Sequence, residues 1–386
     1  MKQFIEGSKA VALAVKLARP GVISAYPITP QTHIVEELAQ LIADGEMKAE
    51  FVNVESEHSA ASVVLGSTAT GVRSFTATSS QGFLLMIEVL FNIAGMRLPL
   101  VMTCANRAIS APLNIWNDQQ DSMTARDSGW IQLYAENNQE VVDLHIQAYK
   151  IAENKEIMLP VMVCMDGFIL THGAEVVDIP DQTLVDKFLP AFELSDKLDI
   201  NNPKTLGAFA DPDHYTEARY AMQVANDNAL KIIPQVADEF KKIFGRVSGG
   251  LIEGYRIEDA EQVIVAMGSV VGTIKDVVDE LRAEGKKAGV LKIVTYRPFP
   301  AEVVYRALKD IPQIAVLEKA VSLGASGPLH IDLKSVLCGR EGKISRVSGF
   351  VIGLGGRDIT KNSIREVFDS LSKEEVSCKF VGLKLG

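Results

Sequence analysis

Short apolar runs alternate with amphipathic stretches along most of the chain. GVISAY at Gly21–Tyr26 is a brief apolar run, and THIVEELAQLIA at Thr32–Ala43 repeats apolar residues at helical spacing behind Thr32 as a candidate N-cap. Phe51–Val54 reads as a strand, and Glu57–Thr70 as a helix rich in Ala, Ser and Val. The strand RSFTAT, the helix GFLLMIEVLFNIAG, the strand LPLVMTCA, the helix NQEVVDLHIQAYKIAEN and the strand LPVMVCMDG continue the alternation. MKQFIEGSKAVALAVKLARPG, ahead of all of these, has the pattern of an amphipathic helix. Strands apolar on both faces belong in a parallel sheet covered by helices on each side. The expected class is therefore α/β, a doubly wound parallel sheet whose ligands lie beyond the carboxyl ends of the strands. The loop Tyr26–Thr32 falls at such an end, as do Glu55 and Glu57, Thr78–Gly82, and Asn106 with Arg107.

A chain of 386 residues exceeds one comfortable core, so two domains are expected. Residues 1–245 form the first. It includes a Pro-, Asp- and Asn-rich stretch from about 180 to 216, expected to run over the surface, and a long helix from Tyr215 to Phe244. Residues 246–386 form a smaller α/β domain with QVIVAM, a helix from Val271 to Glu284, AGVLKIV, a turn at RPFP, and QIAVLEKA. The boundary belongs near residues 245–260.

Charge and composition narrow the function. A formal net charge of −10 leaves little to displace counterions from a phosphate backbone, which argues against nucleic acid. No apolar stretch reaches the roughly 20 residues a bilayer span needs, and no cleavage signal follows the N-terminus, so a cytoplasmic protein is expected without a membrane partner. The four cysteines, Cys104, Cys164, Cys338 and Cys378, are scattered and match no cluster-binding run; small core residues are the simpler account. The six histidines show no metal-ligand spacing, and there is no nucleophile elbow or Walker loop. Gly353–Asp358, GLGGRD, looks phosphate-like but lacks a third spaced glycine and a downstream acid, and reads as a turn.

Four stretches carry candidate chemistry, the last three each with a plainer alternative. In SAYPITPQT, two prolines bracket Ile28 and Thr29, making a rigid loop that presents a hydroxyl. Glu57 opens an apolar helix; it either complements the helix dipole or needs a buried partner such as a ligand nitrogen. TATSSQGFLLM, with Thr78, Ser79 and Ser80 before a glycine, either caps a helix or meets a polar ligand edge. Arg107, at the end of a strand, is either a solvated arginine or a bidentate clamp for a carboxylate. It leads into the polar run through Asn106, Asn117, Asp118 and Asp121, too long for a plain connection.

Together SAYPITPQT, ESEHSAASVVLGS, TSSQGFLLM and NRAISAPLNIWNDQQDSMTARDSGWIQ resemble the alpha subunits of multi-subunit pyruvate:ferredoxin oxidoreductases, within the thiamine diphosphate-dependent 2-oxoacid:ferredoxin oxidoreductases. VAMGS and YRPFP extend the resemblance to the transketolase C-terminal-like domain of those subunits, so it covers nearly the whole chain. The resemblance implies that residues 1–245 are a pyrimidine-binding domain, with Glu57 on the pyrimidine ring nitrogen and Tyr26, Pro27, Ile28, Thr78, Ser79 and Ser80 around the cofactor. Thr29 would face the bound 2-oxoacid and Arg107 its carboxylate, with Asn106, Asn117, Asp118 and Asp121 in the adjoining loop. The activity implied is reversible oxidative decarboxylation of pyruvate with coenzyme A to acetyl-CoA and carbon dioxide, electrons passing to ferredoxin.

The chain has no G-D-G run; MDG at Met165–Gly167 comes nearest. The resemblance then implies a diphosphate site, Mg2+ and a [4Fe-4S] cluster on a beta subunit, and further clusters on gamma and delta subunits or domains, with no metal on this chain. A sister enzyme acting on oxalate, 2-oxoglutarate or a branched 2-oxoacid is the alternative, and a non-catalytic dinucleotide-binding or scaffold protein a distant one.

Overall fold

The computed structural model describes residues 1–385. Among them, a seven-stranded sheet runs in the order Thr295–Arg297, Ile131–Tyr134, Val161–Asp166, Val101–Asn106, Ser74–Thr78, Val22–Ser24, Glu50–Val52. Its six strands from the first half of the chain are mutually parallel, as expected of a doubly wound α/β protein. Val101–Asn106 and Val161–Asp166 pair in register from Val101 with Val161 to Asn106 with Asp166, and every residue of both is buried. Burial on both faces explains why these strands read as unbroken apolar runs.

A six-stranded second sheet has the order Lys379–Phe380, Arg346–Val351, Gln313–Glu318, Gln262–Ala266, Ala288–Ile293, Ile252–Tyr255. Only its last strand is antiparallel. The helices Val270–Ala283 and Lys361–Leu371 cover one face through Ile274, Val278, Ile364 and Phe368.

Four expectations need correcting. YRPFP is no simple turn: Thr295–Arg297 leaves the second domain to pair antiparallel with Ile131–Tyr134 and becomes the edge strand of the first sheet. The amphipathic N-terminal pattern is only partly helix, because Lys2–Glu6 pairs antiparallel with Ala174–Asp178 before the helix Gly7–Ala18 begins. The excursion after Pro180 contains a capped helix, Gln182–Phe188, with Asp181 Oδ1 accepting from Thr183 N at 2.8 Å. Ile252–Tyr255, at the start of the second domain, is a further strand. The three strands among them are short and pair with partners outside their own segment, so local periodicity carries little of their signal.

The two sheets share a core. One apolar cluster runs from Met102, Cys104 and Trp130 through Leu291 and Tyr296 to Val304 and Leu329. At about 1.5–3 kcal/mol for each large side chain buried, this packing holds the second domain firmly against the first. No helix among the described residues is long and apolar enough to cross a membrane.

Candidate active site

The loop Tyr26–Thr32 leaves the carboxyl end of Val22–Ser24 and is pinned from both sides. Gln31 is fully buried; its Nε2 donates to Ala77 O at 2.7 Å and its Oε1 accepts from Ile28 N at 3.2 Å. Pro30 is buried over Gly167, where a Cβ would lie 2.6 Å from Pro30 Cγ. The bracketed segment is thereby turned outward: Tyr26, Pro27 and Thr29 are exposed and Ile28 is half-buried. Gln31 lies within SAYPITPQT and Gly167 closes the MDG run, but nothing in either stretch announces these pinning contacts.

Glu57 is the first residue of the helix Glu57–Ala69, and Ser56 caps that helix by accepting from Ser59 N at 3.2 Å. Glu55 is exposed and bonded to the Ser59 hydroxyl. Glu57 instead turns inward, 7% exposed, onto Gly82 in the first turn of the helix Ser80–Gly95. A Cβ on Gly82 would come within 2.7 Å of both Glu57 Cδ and Cγ, so the carboxylate occupies space that only glycine leaves open. It makes no hydrogen bond or ion pair with any described residue. Complementing the helix dipole does not require burial, whereas a buried carboxylate is costly unless something donates to it. Ala60 and Ala61, a turn further along its own helix, and Phe83 and Met86, beside and one turn beyond Gly82, are all buried and apolar.

One carboxylate stitches the neighbouring segments together. Asp121 Oδ2 accepts from Ser80 N at 2.9 Å and Arg107 N at 3.0 Å, while Oδ1 accepts from Asn106 Nδ2 and Ser122 N, each at 2.8 Å. Burial pushes Asp121 above the usual carboxylate range despite these four donors. The start of the helix carrying Gly82 and the backbone of Arg107 thus hang on one oxygen. Ser79 and Ser80 spend their hydroxyls on Ala105 O at 2.6 Å and Ala108 O at 2.5 Å, while Thr78 Oγ1 is buried without a partner.

Arg107 is 6% exposed and forms no ion pair among the described residues. Its Nη1 donates to Thr29 O at 2.8 Å and its Nε to Asn114 O at 3.0 Å. Burial lowers its pKa, with Asp121 pulling the other way. The structure therefore joins Thr29 to Arg107 directly, and both to the Gly82 helix through Asp121. A buried cation whose partners are carbonyls, with Nη2 unused, suits an anionic ligand better than a solvated surface role.

The polar residues expected along the adjoining loop, Asn106, Asn117, Asp118 and Asp121, are all interior. Asn117 Nδ2 donates to Asn106 O and Asp166 Oδ1, both at 3.1 Å, and Asp118 accepts from Gln120 N at 3.0 Å and Gly355 N at 3.2 Å. They shape the loop, and its buried polarity explains why so long a hydrophilic run keeps one conformation.

Asp166, of the MDG run, is equally committed. It accepts from Ser269 N at 2.9 Å, Ser269 Oγ at 2.5 Å, Asn117 and Gln119, and Lys319 Nζ stands 3.1 Å away. Burial would raise its pKa, but Lys319 and the Ser269 donors outweigh it and hold it below the usual value. Glu136, Glu140 and Glu253, a cluster with the spacing of metal ligands, are bound by Lys292 Nζ at 2.6–2.8 Å.

These donor sets fit one end of thiamine diphosphate and not the other. A partnerless carboxylate among apolar side chains suits the hydrogen-bonding edge of a flat aromatic ring. The residues that could hold a divalent ion at a diphosphate are already neutralised by lysines.

Residues 13–238 match the family described as "Pyruvate flavodoxin/ferredoxin oxidoreductase, thiamine diP-bdg", and residues 260–364 match "Pyruvate:ferredoxin oxidoreductase core domain II". The chain is 54% identical to pyruvate synthase subunit PorA of Methanosarcina barkeri over 96% of its own length and 92% of that protein's. Its identity to ketoisovalerate oxidoreductase subunit VorA of Pyrococcus horikoshii is 44%, over 97% and 94% of the two chains. In fold it resembles a 2-oxoglutarate:ferredoxin oxidoreductase from Magnetococcus marinus, with a TM-score of 0.74 and 19% identity, over 96% of this chain and 65% of that one.

Proposed function

The chain belongs to the pyruvate:ferredoxin oxidoreductase family, and on that premise we propose that it is the subunit that grips the pyrimidine end of thiamine diphosphate and the carboxylate of pyruvate. The enzyme oxidatively decarboxylates pyruvate with coenzyme A, giving acetyl-CoA and carbon dioxide and passing electrons to ferredoxin. What carries this assignment is Glu57, 7% exposed and turned onto Gly82, with no donor to its carboxylate among the described residues.

When bound, the coenzyme supplies a carbon nucleophile for the 2-oxo carbon and a sink for the electrons that remain when carbon dioxide leaves. Glu57 would accept a hydrogen bond from the protonated pyrimidine ring nitrogen and so favour the ring's imino tautomer, whose exocyclic nitrogen could then take a proton. Thr29, exposed at the tip of its pinned loop, donates to the 2-oxo oxygen. Arg107, held by Thr29 O and Asn114 O, pairs with the substrate carboxylate through its remaining nitrogen. Tyr26, Pro27 and Ile28 wall the coenzyme beside Thr78.

The Thr29 loop carries no cation of its own, so Arg107 answers a single carboxylate. That fits pyruvate better than 2-oxoglutarate. A beta subunit bearing G-D-G supplies Mg2+ and the diphosphate site, because Asp166 is saturated here. The [4Fe-4S] clusters lie on that subunit and on gamma and delta subunits or domains, since Cys104 and Cys164 are buried in strands and Cys338 and Cys378 stand elsewhere on the surface.

Glu57→Gln in the complex reconstituted with its partners tests this reading. Turnover should fall by about 10²–10⁴, the usual worth of a positioned acid–base group, while coenzyme affinity changes modestly. Near-wild-type turnover would remove Glu57 from its role and leave the coenzyme site unassigned.

A further inference from the structure

Gly353–Asp358, a plain turn in sequence, has no part in the chemistry above, yet it sits directly against the loop that holds Arg107. Gly356 N donates to Asn117 O at 2.6 Å, Gly355 N to Asp118 Oδ2 at 3.2 Å, and Asn114 Nδ2 donates back to Gly355 O at 3.0 Å. Gly353, Gly355 and Gly356 have φ of 70°, 60° and 79°, the left-handed region that favours glycine. A Cβ on Gly355 would lie 2.5 Å from Asn114 Nδ2, and one on Gly356 3.0 Å from Trp116 Cγ. Backbone meets loop here at a distance that excludes side chains.

The residues touched are those that fix the arginine. Asn114 receives Arg107 Nε on its carbonyl while its amide bonds Gly355, and its Oδ1 accepts from Trp116 N at 2.7 Å. Trp116 O in turn accepts from Ala108 N, next to Arg107, at 3.0 Å. A continuous path of hydrogen bonds thus leads from the second domain to the guanidinium and on to Thr29 O. The shared apolar core holds the two domains at fixed distance, so the turn is a rigid support.

We propose that the Gly353–Gly356 turn is a positioning element for substrate binding, with Asn114 as its relay, setting the direction in which Arg107 meets the carboxylate of pyruvate. This rests on Arg107 being the carboxylate clamp. The second domain then serves as a gauge for the substrate pocket of the first, and Gly355 and Gly356 are required by the closeness of that contact.

Steady-state kinetics on the reconstituted complex distinguishes the possibilities. Asn114→Asp keeps the acceptor for Trp116 N and removes the donor to Gly355 O; Gly355→Ala pushes the turn away from Asn114. Each should raise KM for pyruvate about 3- to 10-fold, the loss of roughly one net hydrogen bond, with kcat within about twofold. Combined with Arg107→Ala, neither should add to the KM increase that Arg107→Ala causes alone, since both act through that side chain. An unchanged KM in both variants while Arg107→Ala raises it would overturn the positioning role and leave the clamp standing. Undiminished effects in the Arg107→Ala background would also overturn it. If Arg107→Ala itself leaves KM unaltered, the clamp fails and the positioning role falls with it. Loss of kcat together with a lowered thermal midpoint in both variants would reduce the turn to general structural support.

Discussion

Replacing Gly82 by alanine should separate stability from activity. Alanine is favoured over glycine in a helix interior by about 1 kcal/mol, and somewhat less in a first turn, so the helix Ser80–Gly95 itself stands to gain. The new Cβ, however, would sit 2.7 Å from Glu57 Cδ and Cγ, where carbon atoms prefer about 3.5–4.0 Å. Relief requires the carboxylate to move by roughly 1 Å, and a displacement of that size at a reacting group costs on the order of 10²-fold. Gly82→Ala should therefore keep or raise the thermal midpoint of the complex while kcat/KM falls about 100-fold. Gly66→Ala, in the helix that begins at Glu57, is the control: its Cβ would meet nothing within 4 Å, and activity should hold. In a Glu57→Gln background the Gly82→Ala loss should shrink, because the two changes disable the same group. Wild-type turnover and coenzyme affinity in Gly82→Ala would show that the position of the Glu57 carboxylate is immaterial, and would refute the role assigned to it.

Two further outcomes follow from buried charges in the second domain. Burial pushes the Glu318 carboxyl up to about 8, against the donors Leu329 N and His330 N. A carboxyl raised on folding binds its proton more tightly in the folded state, so its contribution falls as pH climbs from the ordinary carboxylate range to about 8 and is level above that. Glu318→Gln should therefore gain in denaturation midpoint relative to the parent between pH 5 and 8; a pH-independent difference would contradict the shift. Lys319→Met leaves Asp166 buried without its cation, which should cost about 3–5 kcal/mol in a denaturant titration. A loss under about 1 kcal/mol would mean that the Ser269, Asn117 and Gln119 donors suffice alone.

Much of this molecule is legible in its amino-acid order. Central parallel strands such as Val101–Asn106 and Val161–Asp166 are buried on both faces, so they must be apolar throughout, and the pattern announces them. Glu57 is conspicuous because a carboxylate opening an Ala/Ser/Val helix is out of place, and Arg107 because a strand ends at it. What linear order could not disclose is which polar groups face one another. The roles of Gln31, Gly82, Asn114, Gly167 and Gly355 arise from contacts between segments remote in sequence, and such residues look ordinary until the chain closes on them. Asn117, Asp118 and Asp121 showed the converse: loop polarity marked them as candidates for contact with substrate, while folding buried them as scaffold.

Local periodicity thus determined the fold class, and residue chemistry marked Glu57 and Arg107 as candidates, because burial on a sheet and the cost of an unpaired charge act on each residue where it stands. Only tertiary structure decided that Thr295–Arg297 completes the first sheet and that a glycine turn of the second domain braces the arginine loop. Those depend on distances between groups some 160 and 240 positions apart, which close only when the shared core packs.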